Sequence, residues 1–147
     1  MNSCARIFVT ALQLGAACLL PACAATDPRS GIPVIVVAEG SFHGSSSTQI
    51  FADGVVITSI FPPGKPAVRT ITQKEPEVYA RAAAVIASEG IATLGAIKPH
   101  PQPCLDYGLD QVTATPTVAG FSQASSTCLD IALTVLMSHV LAALSQR

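Results

Sequence analysis

A short apolar run behind a single positive charge decides which part of this chain is available to fold. Arg6 is the only charged side chain before Asp27, and Ile7 to Leu20 behind it are apolar apart from Thr10 and Gln13. A positive start, a short apolar stretch and then small residues is the order of a secretory signal. The stretch holds about 14 residues, against the roughly 20 that a helix needs to cross a hydrocarbon core. A buried N-terminal helix would repeat polar residues at helical spacing to make an outer face, and none recur here. Residues 1–23 are therefore read as a signal, 24–31 as a polar tether, and 32–147 as one folded domain.

The remaining composition narrows the class further. Half of the 147 residues are apolar and 12% are charged, with Lys+Arg 8 against Asp+Glu 9 and a formal charge of −1. So few charges beside so much apolar surface argue against disorder. A neutral balance gives no field of one sign to hold nucleic acid, so no nucleic-acid partner is expected.

At the end of the signal, Leu20-Pro21-Ala22-Cys23 resembles the lipobox of bacterial lipoproteins, a Leu and two small residues ahead of a Cys. The resemblance implies that Cys23 becomes the first mature residue, carries the lipid and holds the chain at a membrane. Pro21 departs from the small residue the family usually has there. Ala24 follows the cysteine where the family's inner-membrane members have Asp, which by resemblance points to the outer membrane or periplasm. The other reading is cleavage at Ala22-Cys23-Ala24, an A-x-A site that would release a soluble secreted protein.

Export changes what the cysteines mean. Of the five, Cys4 and Cys18 leave with the signal and Cys23 is acylated or sits in the tether. Cys104 and Cys128 remain, an even pair in an oxidising compartment, and are expected to form a disulfide. Closing that loop stabilises the fold by roughly 3–4 kcal/mol on the chain-entropy view. His100 lies four residues before Cys104, but prolines flank it at 99, 101 and 103 and no C-x-x-C occurs. No metal site and no cofactor are expected.

The folded part reads as alternating strand and helix signals. Ile32–Ala38 is a β-branched run expected to be a strand buried on both sides, with Pro33 at its start. Gly40–Ser47 is a loop by composition. Thr48–Phe51 and Val55–Ile60 flank Ala52-Asp53-Gly54, a hairpin signal in which both Asp53 and Gly54 are expected at positive φ. Pro62–Lys65 is a second turn, and Ala67–Thr72 is compatible with a third strand. Thr72 and Glu75 have capping-box spacing, so a helix is predicted from about Thr72, with Val78, Ala82, Val85 and Ile86 on one face and Gly90 as its stop. Ile91–Pro103 is read as a connection. Leu109–Thr115 and Phe121–Ser125 suggest two more strands around Pro116–Gly120. A last helix is predicted with Thr127 as its cap, a core stripe of Leu129, Leu133, Leu136, Val140 and Leu144, and Asp130, Thr134 and Ser138 on the wet side. The expected fold is α+β: a two-layer sandwich of antiparallel hairpins with two helices on one face.

Catalytic patterns are sparse. Gly40-Ser41-Phe42-His43-Gly44 has the glycines of a nucleophile elbow, but the serine is off the centre that G-x-S-x-G requires. Asp106 and Asp110 are four apart in a turn-like segment, and Glu75 and Glu77 suit a helix start. No phosphate loop or dinucleotide fingerprint occurs. A broader likeness remains: Phe42, Asp53-Gly54, Cys104-Leu105-Asp106 and Cys128-Leu129, each pair of landmarks leading into a helix, resemble a family of small exported bacterial domains of unknown function over residues 34–144. That family has a Cys-Phe-Gly motif where this chain has Ser41-Phe42-His43-Gly44, and the likeness implies no activity.

The expectation is thus a non-enzymatic, lipid-anchored binding or accessory module with an envelope protein partner, its candidate interaction loop being Phe42, His43 and Gly44. A secreted inhibitor or small-ligand binder is the alternative, and a weak hydrolase using Ser41 with His43, or Asp106 with His100, a third. The intact mass of mature chain extracted by detergent from an exporting bacterium checks the anchor. An acylated N-terminal Cys23 is expected, and an unmodified chain beginning at Ala25 would refute it.

Overall fold

In the computed structural model the described residues are 31–100, 104 and 108–146. The signal, Cys23, nearly all of the tether and Asp106 lie outside them. Four strands come first, β1 (Val34–Ser41), β2 (Gly44–Phe51), β3 (Val55–Phe61) and β4 (Val68–Gln73). Helix α1 (Glu77–Ala96) follows, then β5 (Asp110–Val118), β6 (Phe121–Ser126) and helix α2 (Ile131–Ala142). The strands form one antiparallel six-stranded sheet in the order β4-β3-β2-β1-β5-β6. This is the expected α+β class, with four strands before the first helix instead of two or three.

The side-chain period of the strands sets the layers. Ile35 and Val37 of β1, Ile50 of β2, Val56 of β3, and Val112 and Ala114 of β5 face the helices. There they meet Val78, Ala82 and Ile86 of α1 and Leu133, Leu136, Met137 and Val140 of α2. The helices pack over β1, β2, β5 and β6. A second, smaller cluster of Phe51, Val55 and Ile57, with Ile32 and Val34, lies on the opposite face. The run expected to be buried on both sides is therefore an alternating strand: Ile35 and Val37 are buried, whereas Val34, Val36 and Ala38 are half-buried.

Several boundaries move for identifiable reasons. The Gly/Ser stretch 40–47 is not a loop but the tip of a hairpin. Ser45, Ser46 and Ser47 pair with Gly40, Glu39 and Ala38 on one side and with Phe61, Ile60 and Ser59 on the other. A ladder asks for backbone groups, not apolar side chains. At the next turn, Gly54 N–H donates to Phe51 O at 3.0 Å, and Gly54 alone has positive φ, +82°. That is a three-residue connection ending in a left-handed glycine, not the two-residue turn expected.

Thr72 does not cap a helix. It pairs with Val56 in β4, and Lys74 N–H extends the ladder to Gly54 O at 2.9 Å. The helix starts after Pro76, with Glu77 in its first turn. Nor does Gly90 stop α1, which runs on through Ile91 to Ala96. Gly90 is buried, and the ring of the fully buried Phe121 occupies the place of its missing side chain. Helix α2 is capped by Asp130, not Thr127. Its Oδ1 accepts from Leu133 N–H at 3.1 Å, so Asp130 is buried where the wet side was expected. Leu129 precedes the helix and is exposed, while Leu133, Leu136 and Val140 hold the stripe. At the far end, Arg81 Nε donates to Ala143 O at 3.2 Å and Lys74 Nζ to Leu144 O at 2.9 Å, cations at the negative end of the helix.

The Gly90–Phe121 contact can be weighed. Glycine inside a helix costs about 1 kcal/mol relative to alanine. A Cβ at Gly90 would stand 2.7 Å from Phe121 Cδ2, which forces overpacking worth typically 1–3 kcal/mol. Gly90→Ala should therefore lower stability despite its better propensity. Urea unfolding checks this, and a double-mutant cycle with Phe121→Leu should return a coupling of about 1 kcal/mol or more.

Candidate functional site

The β1–β2 hairpin closes on two residues, Phe42 and His43, because Ser41 and Gly44 are the last residues to pair. Ser41 Oγ donates to Gly44 O at 2.9 Å and accepts from His43 N–H at 3.2 Å. Its hydroxyl is thus committed to the backbone of its own turn, which ties the serine to shaping the tip and not to His43 as a base. Gly44 has φ +128°, and a Cβ there would lie 2.8 Å from Phe61 O in the neighbouring hairpin. Both the backbone angle and the close approach call for glycine. The result is a defined tip that presents Phe42 at 75% exposure, its ring edge-on to His43 with centroids 5.7 Å apart.

Hollows lie on both sides of this tip. One, of about 460 Å³, is bordered by Glu39, Ser46 and Asp110 together with Ile60, Leu129 and Met137. Ser46 Oγ donates to Glu39 Oε2 at 3.5 Å, and Asp110 Oδ1 accepts from Gly40 N–H at 3.3 Å. Asp110 opens β5 and is buried there; it is not the turn aspartate expected from sequence. The other hollow, of about 450 Å³, is bordered by Phe42, Phe61, Pro63 and Leu109. Phe42, Ile60, Phe61, Leu109 and Leu129 are all exposed, so this end of the sheet carries an apolar rim with two carboxylates on one flank.

Elsewhere, His139 Nδ1 lies 2.9 Å from Glu89 Oε2 and links α2 to α1 across an exposed surface. Partial burial raises the pKa of the Tyr79 hydroxyl on α1, which lines neither hollow. The expected disulfide joins Cys104 to Cys128, with Cα atoms 5.1 Å apart, and ties the segment before β5 to the start of α2. A ring nitrogen of His100 and the two sulfurs lie within 4.8 Å of one another. Sequence reasoning set His100 aside on its prolines; its four-residue spacing from Cys104 was the available signal. Among the described residues, no helix is long and apolar enough to cross a membrane.

Two of these features had no sequence signature. The hollow beside the tip borrows Leu129 from just before α2 and Met137 from α2, about ninety residues from the hairpin in sequence, a separation that only tertiary packing closes. The approach of Gly108 to Gly40 is equally long-range: a Cβ on Gly108 would collide with the Gly40 backbone. As for known proteins, no protein-family model matches the chain, and no curated protein matches it.

The bridge closes 24 residues of sequence, so replacing both cysteines by serine should lower stability by roughly 3–4 kcal/mol. Chemical denaturation of the Cys104→Ser/Cys128→Ser chain checks this, with an unchanged midpoint as the contrary result.

Proposed function

We propose that the chain is an exported, lipid-anchored envelope protein that acts as a non-enzymatic binding module and engages a protein partner through the β1–β2 tip. The observation that carries this reading is the exposure of Phe42 on a backbone held by Ser41 and Gly44. A large aromatic in water contributes no stability to its own fold. Moved into an apolar pocket it contributes about 2–3 kcal/mol, and rigid presentation keeps the entropic cost of docking small.

The surroundings specify the partner's chemistry. Ile60, Phe61 and Leu109 extend the apolar contact, and Glu39 and Asp110 border the adjacent hollow without a Lys or Arg among its lining residues. That arrangement fits a partner surface offering an apolar pocket for Phe42 and a basic side chain toward Glu39. The disulfide supports the exported setting, and Cys23 would tether the domain through its lipid.

Envelope extracts captured on the tethered domain provide the test, with wild type and Phe42→Ala compared side by side. A partner enriched on wild type should fall at least tenfold on Phe42→Ala, while the denaturation midpoint stays nearly unchanged because Phe42 is largely exposed. Glu39→Gln should weaken capture less and reduce its salt sensitivity. Equal recovery on both baits would dismiss the tip as the binding element.

A further inference from the structure

From the cluster at the Cys104–Cys128 bridge we infer a redox-gated metal site: once the bridge is reduced, Cys104, Cys128 and His100 bind one soft divalent ion such as Zn²⁺. This does not rest on the binding-module reading. A ring nitrogen of His100 and both sulfurs lie within 4.8 Å of one another. Tetrahedral Zn²⁺ with bonds of about 2.3 Å to sulfur and 2.0–2.1 Å to nitrogen places its ligand atoms about 3.5–3.8 Å apart, so the two sulfurs, bonded to each other in the bridge, must move apart on reduction to reach it. Two thiolates and an imidazole leave a fourth position for water, and Cys104 and His100 are exposed enough to admit both ion and reductant.

Beyond its proximity, the cluster has two of its three ligands on segments held by contacts that reduction does not touch. Cys128 is buried, and Ser126 grips its backbone twice, accepting from Cys128 N–H at 3.2 Å and donating to Cys128 O at 2.7 Å. On the other side, Lys98 N–H donates to Asp130 Oδ2 at 3.3 Å, which fixes the chain two residues before His100. The same Asp130 caps α2 two residues after Cys128. The His100 side and the Cys128 side are thereby anchored to one buried carboxylate, so opening the bridge frees Cys128 Sγ without releasing the segments that carry Cys128 and His100.

The chemistry balances with a dithiol as the named reductant. The dithiol attacks the bridge through a mixed disulfide and leaves as a cyclic disulfide, having delivered two electrons and two protons to give Cys104–SH and Cys128–SH. Zn²⁺ then displaces the two thiol protons, while His100 binds as the neutral imidazole. While the bridge is intact no thiolate exists and the site is closed.

The full-length chain, reduced and desalted without oxygen, is titrated with Co²⁺ as a spectroscopic probe. Reduced wild type should take up one Co²⁺ with a thiolate-to-cobalt charge-transfer band that Zn²⁺ abolishes, whereas the oxidised chain should give none. His100→Ala should weaken binding at least tenfold. Cys104→Ser/Cys128→Ser should show no such band, which removes Cys4, Cys18 and Cys23 from the explanation. Equal binding by reduced wild type and His100→Ala, or an undiminished band in the double serine variant, would overturn the proposal, as would no binding by the reduced wild type. The His100→Ala comparison reads the same way whether or not reduction loosens the fold.

Discussion

Everything in this fold is arranged around the two edges of β1. One edge is satisfied locally, by β2 across a two-residue turn, and β3 and β4 continue the same meander. The other edge waits for β5, more than seventy residues later in the chain: Val37 pairs with Val112 and Ile35 with Ala114. Closing a contact of that length is entropically expensive, and the chain must carry α1 across the sheet before the pairing returns anything. The features that look unusual in sequence serve this return. Gly90 lets Phe121 of β6 lie flush against α1, and Asp130 binds the exit of α1 to the entry of α2. The disulfide fastens the segment that leads into β5.

This division explains which parts were legible in the sequence. Short-range signals read well where one local term dominated. Val78, Ala82 and Ile86 recur at helical spacing and are buried, Asp53-Gly54 makes a turn, and Cys104 and Cys128 pair. They failed where a long-range term outweighed a local one. Thr72 and Glu75 have the spacing of a capping box, but Thr72 is held in the ladder opposite Val56, and Pro76 sets the helix start instead. Gly90 signals a stop by propensity, yet the burial of an aromatic ring outweighs about 1 kcal/mol of backbone preference. Ser45 to Ser47 lack every strand preference and are strand residues because both neighbours already present backbone groups to pair. At the candidate site, Phe42, His43 and Gly44 were legible as a loop worth attention, whereas their two hollows were not. Those hollows need β3, β5 and α2 in place.

The position of the apolar rim follows from how the helices cover the sheet. They pack mainly over β1, β2, β5 and β6, and of β3 and β4 only Val56 joins the core beneath them. Ile60, Phe61 and Val68 therefore stay exposed at the β3–β4 end beside the Phe42 tip. Singly exposed apolar residues are ordinary on protein surfaces. Phe42, Phe61 and Leu109 differ in sharing one hollow, held at one end by the Gly44 backbone and Phe61 O and at the other by Gly40 against Gly108. Rigidity without burial adds nothing to folding. It is consistent with a surface whose energy is released on contact with something else.

The joint between α1 and α2 carries a redundancy that bears on both functional readings. A disulfide acts on the unfolded chain by shortening its loop, whereas the Asp130 bonds to Lys98 and Leu133 and the Ser126 bonds to Cys128 act on the native state. The two kinds of restraint converge on the same few residues, so losing the first lowers global stability without removing the second. A tip engaged by a partner needs β1 held against β5, and that pairing depends on the whole chain staying closed. The Cys128 and His100 sides of the sulfur cluster need only the joint itself. Reduction should therefore affect the two sites unequally, weakening the tip through the stability of the entire fold while leaving the segments that carry Cys128 and His100 held by contacts that contain no sulfur.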